Sequence, residues 1–511
     1  MLLRRCLILL FFTALGFFAM GYHPGIEDDG VYLTAVKANL NPSLYSHNSV
    51  FFRAELQSSS FDGWMAGFVR ITHISLAWAA LLWQLAAIVI ILYAAWSIIR
   101  QFFPDESAQW GGVALLAAMF TLPVSGTAIY ILDQHLHPRA LATALILLAV
   151  SRLVSGKRWQ GTVALLLLAV LLHPIMGALG AAFCVIVGSL LIQPSPIVLP
   201  ELPEVPEMAK TIPAVAAFPM AWLFNRPHGV WLASLQSRHW FCLYRWTWYE
   251  WLGVLAPLAI FWLIARLERS RGNLALARFA AGIALYGGFF LAVSMVVLAP
   301  DTPTGLGTLE PMRFLHLIYV FLCLFGGAYL GRYVLQKQLW RWALFLILAN
   351  GGMFLAQRQL FAATPHLELP GITSSNPWLQ AFAWIRQNTP QDAYFALDPH
   401  YMSAPGEDYH SFRALAERSS LSDAIKDASV VTKVPDLGPV WQSQQQAQQG
   451  WNRFTLANFE NLRDTFGVDW VLVAYPATAG LACPWHNRSL AVCQISPEPT
   501  KLANERSTGP Q

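Results

Sequence analysis

RRCLILLFFTALGFFAMGYHPGIEDDGVYL, from Arg4 to Leu33, is the stretch on which the reading of the fold turns. Two arginines precede an apolar run from Cys6 to Met20. A few residues later come three carboxylates in a row, Glu27, Asp28 and Asp29. The run reads as a membrane helix. Basic flanks stay on the cytoplasmic side, so Arg4 and Arg5 lie inside and the triplet just outside. The start resembles a signal peptide, but no small-x-small cleavage site follows and Tyr22-His23-Pro24 lead straight into the acidic loop. It is therefore read as a retained first span. Carboxylates at the edge of a bilayer are costly to desolvate, which makes the triplet a functional candidate.

The rest of the chain agrees with a membrane setting. Of 511 residues 56% are hydrophobic and only 12% charged, and the mean hydropathy is +0.45. Soluble domains carry about a quarter charged residues. The net charge of +4 is too small to point to nucleic acid. The 21 tryptophans suit long membrane interfaces. Further spans are expected at 74–99, 110–130, 138–154, 160–172, 175–193, 212–224, 248–265, 275–299, 314–333 and 340–358. With the first they make about eleven crossings. The 212–224 segment is the weakest, broken by Pro213 and Pro219. The 160–172 and 175–193 segments can also be read as one helix kinked at Pro174. The predicted inside connections hold Arg100, Arg152 with Lys157 and Arg158, Lys210, Arg266 with Arg269 and Arg271, and Arg332 with Lys337 and Arg341. That parity puts the N-terminus in the cytoplasm and the chain after 358 outside.

Composition changes near Leu360. Residues 1–360 read as a transmembrane domain whose first external loop, 21–72, carries the triplet. Residues 361–495 read as a small external α/β domain, and 496–511 as a disordered tail. Asn376-Pro377 opens a helix, Ala393–Leu397 and Trp470–Val473 read as strands, and Thr455–Phe466 reads as a helix stopped by Gly467. The Gln-rich stretch 435–452 reads as a solvated loop or helix. Cys483 and Cys493, ten residues apart in a polar domain, are spaced for a hairpin disulfide. Cys6, Cys184, Cys242 and Cys323 lie in or near spans, and no metal-ligand spacing of Cys or His occurs.

Three readings fit the triplet. One carboxylate could take a proton from an acceptor hydroxyl, which requires an approach of about 3 Å. Asp28 or Asp29 could cap a helix beginning near Gly30. Two or three of the oxygens could hold a divalent cation such as Mg²⁺, so the cofactor stays open. Other polar groups fall on the same predicted face: Asp133, His135, His137 and Arg139; His173; Arg226, His228, Arg238, His239, Arg245 and Glu250; and Asp301, Glu310, Arg313 and His316. Arginine binds phosphate oxygens in bidentate fashion and stays charged, so such a set suits a lipid phosphate. The plain alternative is snorkelling of basic side chains to headgroups. It is weaker for Arg139, Arg245 and Arg313, which lie on the side that positive-inside bias does not favour. His173 alone reads as an interior histidine. The aromatic run Arg245–Gly253 is either a platform for a sugar or polyprenyl chain or an interfacial belt, and Glu250 pairs with Arg245 or adds a second acid.

Several blocks resemble a group of uncharacterised bacterial polytopic proteins. They are Glu27–Leu33, Asn41–Tyr45, His137-Pro138-Arg139, Leu172-His173-Pro174, Trp248–Gly253 and Phe412–Ala414 with Glu417–Ser419. That group is similar to the GT-C superfamily of membrane glycosyltransferases. The resemblance covers most of the chain. It implies a GT-C-like helical fold, a polyprenyl-phosphate sugar donor, and Glu27 or Asp28 as the catalytic carboxylate. The order Glu-Asp-Asp departs from the group, where a glycine often follows the pair, so Asp29 fits less well.

The leading expectation is thus a glycosyltransferase at the outer face of a bacterial inner membrane, serving the cell envelope. Catalytic candidates are Glu27, Asp28 and Asp29; substrate-binding candidates are His137, Arg139, His173, Arg245, Glu250, Glu310 and Arg313. Partners are membrane lipid, the lipid-linked sugar donor and a glycan, lipid or protein acceptor. The alternatives are a transporter or lipid flippase, which would place ionisable groups nearer the midplane, and a non-catalytic GT-C-like protein that binds a glycan or lipid.

Overall fold

The computed structural model describes residues 2–57, 59–191, 225–298 and 305–495. The expected 212–224 span, Lys210, Asp301 and the 496–511 tail lie outside them. The protein is mostly helical and multi-pass. Among the described residues seven helices are long and apolar enough to cross a membrane: Leu3–Met20, Leu76–Ile99, Pro174–Leu191, Trp248–Ser270, Leu274–Val297, Gly305–Leu335 and Leu339–Leu360. Shorter helices run from Pro138 to Val154 and from Trp159 to Leu172. The Trp159–Leu172 and Pro174–Leu191 helices are separate and pack against each other, with His173 extended between them at φ −151°.

One expected span is corrected. The 110–130 segment is a helix only from Glu106 to Ala118, followed by a two-stranded antiparallel hairpin of Pro123–Val124 and Ile129–Tyr130. Pro123 cannot donate within a helix, and Gly126 takes φ +66° at the turn. Apolar content alone did not reveal the break.

Chain composition sorts the helices. The Gly305–Leu335 segment is 78% buried within the protein, whereas Leu339–Leu360 is 6% buried and exposes Leu339, Ile347, Leu348 and Leu355. The first is a central helix; the second suits contact with acyl chains. Small residues let the central helix approach its neighbour Glu106–Ala118 closely. A Cβ on Gly327 would lie 2.3 Å from the Gly111 carbonyl oxygen, and one on Gly331 would lie 2.0 Å from that of Ser107.

The chain divides into two compact units. One comprises Met1–Pro24, Leu56–Phe361 and His366–Pro370; the other comprises Gly25–Glu55, Ala362–Pro365 and Gly371–Gln511. The acidic loop, expected to belong with the membrane domain, thus contributes Gly25–Glu55 to the second unit. Bonds within that unit explain the assignment. The Lys37 ammonium donates to Ala414 O and Glu417 Oε1, each at 2.7 Å, and Tyr45 donates to Arg413 O at 2.9 Å.

The second unit is α/β. Its sheet runs in the order Ser419–Ser420, Tyr394–Ala396, Trp470–Ala474, Leu490–Gln494, Ala482–His486; the first three strands are parallel and the last two antiparallel. Side chains alternate to two cores. Phe395, Trp470, Leu472 and Val492 pack with Phe382 and Ile385 of the Pro377–Asn388 helix on one face. Tyr394, Val471, Val473 and Ala491 pack with Phe459 and Leu462 of the Leu456–Phe466 helix on the other. Asn376 caps the first helix, and Gly467 at φ +77° ends the second. Cys483 and Cys493 are disulfide-bonded. The Gln-rich stretch is a helix, Gly438–Ala447, but it is not simply solvated. Gln444 is buried, accepting from Ser422 N at 2.8 Å and bonding Asn48.

Candidate functional site

The triplet sits in a short 3₁₀ turn, Glu27–Gly30, that the second unit holds by its backbone. Glu27 N donates to Tyr409 O at 2.9 Å and Ser411 N to Gly25 O at 2.7 Å. The three carboxylates then diverge in role. Asp29 is buried and accepts from Gly25 N at 2.7 Å, which closes the loop. Of the three catalytic candidates it is thus the one whose carboxylate is drawn into the loop. The helix that follows, Tyr32–Leu40, has Val31 at its N-cap position. Glu27 and Asp28 keep side-chain exposures of 44% and 41%. Both are bonded to Lys426 Nζ, Asp28 at 3.1 Å. Glu27 adopts φ +51°, a left-handed conformation rare for a non-glycine residue.

Lys426 opens the helix Lys426–Lys433. Asp423 Oδ1 accepts from the backbone N–H of Ile425 at 2.7 Å, Lys426 at 2.5 Å and Asp427 at 3.3 Å, so it gathers the helix start. The next residue, Asp427, receives both Arg413 terminal nitrogens at 2.7 Å in a buried bidentate pair. Burial alone would lower the Lys426 ammonium's pKa, but Asp28 and Glu27 outweigh it and hold the amine above its ordinary range. Burial, and then the Asp427 charge, pushes the Asp423 carboxyl up to about 6. No sequence signal singled out Lys426, Asp423 or Asp427. Arg413 stood only within a block of resemblance.

The basic candidates lie in the first unit and already have counter-charges. Arg139 donates to Asp133 Oδ1 at 2.6 Å and Oδ2 at 2.7 Å, with both residues buried. Arg313 pairs with Glu310 three residues earlier, and Glu310 sits at φ +50°. Both arginines thus already carry a carboxylate partner, as a buried guanidinium requires. Arg139 and its neighbours form one polar cluster. His137 Nδ1 accepts from Arg139 N at 2.9 Å and caps the Pro138–Val154 helix. The rings of His135 and His173 lie 6.0 and 5.9 Å from that of His137. His173 Nδ1 accepts from Met176 N at 3.4 Å. Gln84 donates to Asp133 O at 2.9 Å, and His316 bonds Ile131 O at 2.9 Å. Arg139 Nε, both His135 ring nitrogens and Thr143 Oγ1 are buried without a hydrogen-bond partner.

Glu250 does not pair with Arg245. It bonds His239 Nε2 at 2.8 Å and forms a capping box with Thr247 at the start of Trp248–Ser270. Arg245 donates to Gln236 O at 2.6 Å and lies over the Tyr244 ring. These are local structural uses. Trp248 and Tyr249 are exposed, as an interfacial belt requires. Among the described residues no group of three or more His, Cys, Asp and Glu side chains is arranged to hold a metal ion. At the triplet, the oxygens considered for a cation receive the Lys426 ammonium.

No protein-family model and no curated protein matches the chain. Solved structures do. The chain is similar to the oligosaccharyltransferase of Archaeoglobus fulgidus in its apo form, at 11% identity and a TM-score of 0.43, over 91% of this chain and 69% of that one. It is similar to the archaeal oligosaccharyltransferase AglB from Archaeoglobus fulgidus in complex with an inhibitory peptide and a dolichol-phosphate, at 12% identity and 0.38, over 91% and 69%. It is also similar to ArnT from Cupriavidus metallidurans bound to undecaprenyl phosphate, at 12% identity and 0.32, over 99% of each chain. A superposition this loose assigns no role to any residue of this chain.

Proposed function

We propose that the protein is a membrane glycosyltransferase of the GT-C type. It transfers a sugar from a polyprenyl-phosphate donor to an acceptor at the outer face of the inner membrane. The N-terminus is cytoplasmic and the second unit external. The observation that carries this reading is the exposed pair Glu27 and Asp28, held side by side by one ammonium and following a membrane helix in the sequence by a few residues. An exposed carboxylate can take the proton of an acceptor hydroxyl as the sugar–phosphate bond breaks. Asp28 is assigned as that base and Glu27 as its partner in orienting the hydroxyl. Within the first unit, Arg139 with His137 and His173, and Arg313 with Glu310, are assigned to the binding of a lipid phosphate. For Arg139 the unpartnered Nε supplies a donor not taken up by Asp133.

The test is sugar transfer by purified protein in lipid, with defined polyprenyl-phosphate sugars as donors. Asp28→Asn should abolish transfer without changing thermal unfolding. An Asp28→Asn protein as active as wild type would remove the assignment. Reporter fusions at Lys157, Arg269 and Gln380 test the orientation, and a cytoplasmic signal at Gln380 overturns it. The buried Asp133–Arg139 pair and its imidazoles favour a second reading, lipid or solute transport, because buried ion pairs in a multi-pass protein can line a transport path. Movement of a lipid-linked sugar across vesicles, unaffected by Asp28→Asn, would select it.

A further inference from the structure

We propose that Lys426 is a positioning residue for the two exposed carboxylates: its ammonium sets where the Glu27 and Asp28 side chains stand, so that one acceptor hydroxyl meets both. The inference rests on the glycosyltransferase reading above and gives Lys426 a role that reading does not assign.

Three observations lead to it. First, Glu27 and Asp28 are adjacent like charges with more than 40% of each side chain exposed. Left alone they would turn apart into water. A single ammonium bonded to one oxygen of each holds them together through charge-assisted bonds.

Second, other groups hold the loop closed. Its closing bonds use backbone atoms and the Asp29 carboxylate. Gly25, at φ +90°, packs so tightly against Leu415 that a Cβ there would lie 2.6 Å from Leu415 Cδ2. These contacts hold the backbone of the turn, and the Lys426 bonds bear on side-chain placement.

Third, Lys426 is itself immobilised. A lysine stem is ordinarily flexible, and holding it costs rotamer entropy. Here its side chain is only 13% exposed. Its backbone N–H is bound by Asp423, and the following residue is locked to buried Arg413. Asp423, Asp427 and Arg413 thus act through Lys426, as a rigid base under one amine. The amine stays charged throughout the physiological range because the two carboxylates outweigh its burial.

The experiment uses the full-length protein in lipid nanodiscs and three variants, Lys426→Met, Lys426→Arg and the double Glu27→Gln/Asp28→Asn. Transfer kinetics with a defined polyprenyl-phosphate sugar should show kcat lowered by about 10²-fold in Lys426→Met, the scale of a small misplacement of reacting groups. The KM for the lipid donor should stay within about twofold, and thermal unfolding should be unchanged. Lys426→Arg should recover part of the loss, since it returns the charge without the same single-nitrogen geometry. The second readout does not need activity. Acetylation of Lys426, followed by peptide mass spectrometry against exposed Lys157 and Lys337, should be slow in wild type. It should rise about tenfold or more in Glu27→Gln/Asp28→Asn, where the amine loses its counter-charges. Should Lys426→Met fail to fold, Lys426→Arg and the acetylation rates decide. Wild-type protein that transfers no sugar removes the functional reading. Wild-type transfer with Lys426→Met equally active, or Lys426 acetylated in wild type as fast as Lys157, removes this one.

Discussion

Replacing Asp427 by asparagine should destabilise the second unit by about 3 kcal/mol, and the reasoning runs through Arg413. Arg413 and Asp427 have side-chain exposures of 7% and 1%, and two 2.7 Å bonds join them. Asparagine keeps the shape and one acceptor oxygen. It loses the charge and turns an N–H₂ group toward a guanidinium that has no acceptor to offer. Removing one partner of a buried ion pair costs about 3–5 kcal/mol, because the other charge is left uncompensated. Asp423 remains close enough to act as a partial counter-charge, which sets the expectation at the lower end. The assay is hydrogen exchange by mass spectrometry on full-length protein, read at the central strand Trp470–Ala474. Strand amides there report opening of the whole unit, and about 3 kcal/mol corresponds to roughly 10²-fold faster exchange. Exchange in the membrane helices serves as the internal reference. A double variant, Arg413→Met with Asp427→Leu, removes both charges and should lose less than Asp427→Asn alone. Asp427→Asn exchange within roughly threefold of wild type, or a double variant worse than the single, would refute the account.

Two further outcomes are expected. The Asp423 carboxyl is held near 6, above its ordinary value, so the native state binds that proton more tightly than the unfolded chain does. Its contribution to stability is then fully present below the unfolded value and lost as pH rises through about 6. Subtracting the Asp423→Asn stability curve from that of wild type, by denaturation between pH 4 and 8, should leave a difference that falls across that window; a flat difference contradicts the assignment. In the membrane unit, Gly327→Ala should lower the detergent-solubilised melting temperature, since its Cβ would meet the Gly111 carbonyl at 2.3 Å. The overpacking is worth about 1–3 kcal/mol. Gly326→Ala, whose nearest contact would be 3.7 Å from Leu115, should be tolerated, and equal effects from the two would count against the close helix crossing.

Much of the membrane architecture was legible because apolar runs end at residues with clear physical meaning. Pro138 starts a helix where its missing N–H does no harm, and the helix ends at Val154 as expected. The failure at 110–130 has an equally local cause. Hydropathy does not distinguish a helix from a hairpin, and the breakers Pro123 and Gly126 were passed over. The two-sided sheet of the second unit was legible only in part. Short strands such as Ser419–Ser420 leave too few alternating residues for a period to register.

The site was half legible for a different reason. Counter-charges close in sequence could have been paired in advance: Asp133 lies six residues from Arg139, and Glu310 lies three from Arg313. A buried guanidinium takes a nearby carboxylate, so each arginine meets any phosphate already paired. Lys426 is another matter, because 399 residues separate it from Glu27. Neither periodicity nor spacing links them; only folding of the loop onto the second unit does. The same folding separates the three carboxylates by task. Asp29 turns inward to the Gly25 amide and becomes scaffold, while Glu27 and Asp28 stay at the surface under one ammonium. A run of identical charges in sequence therefore becomes one buried and two exposed groups. The environment of each oxygen, not its order in the chain, makes Asp28 the group to test first.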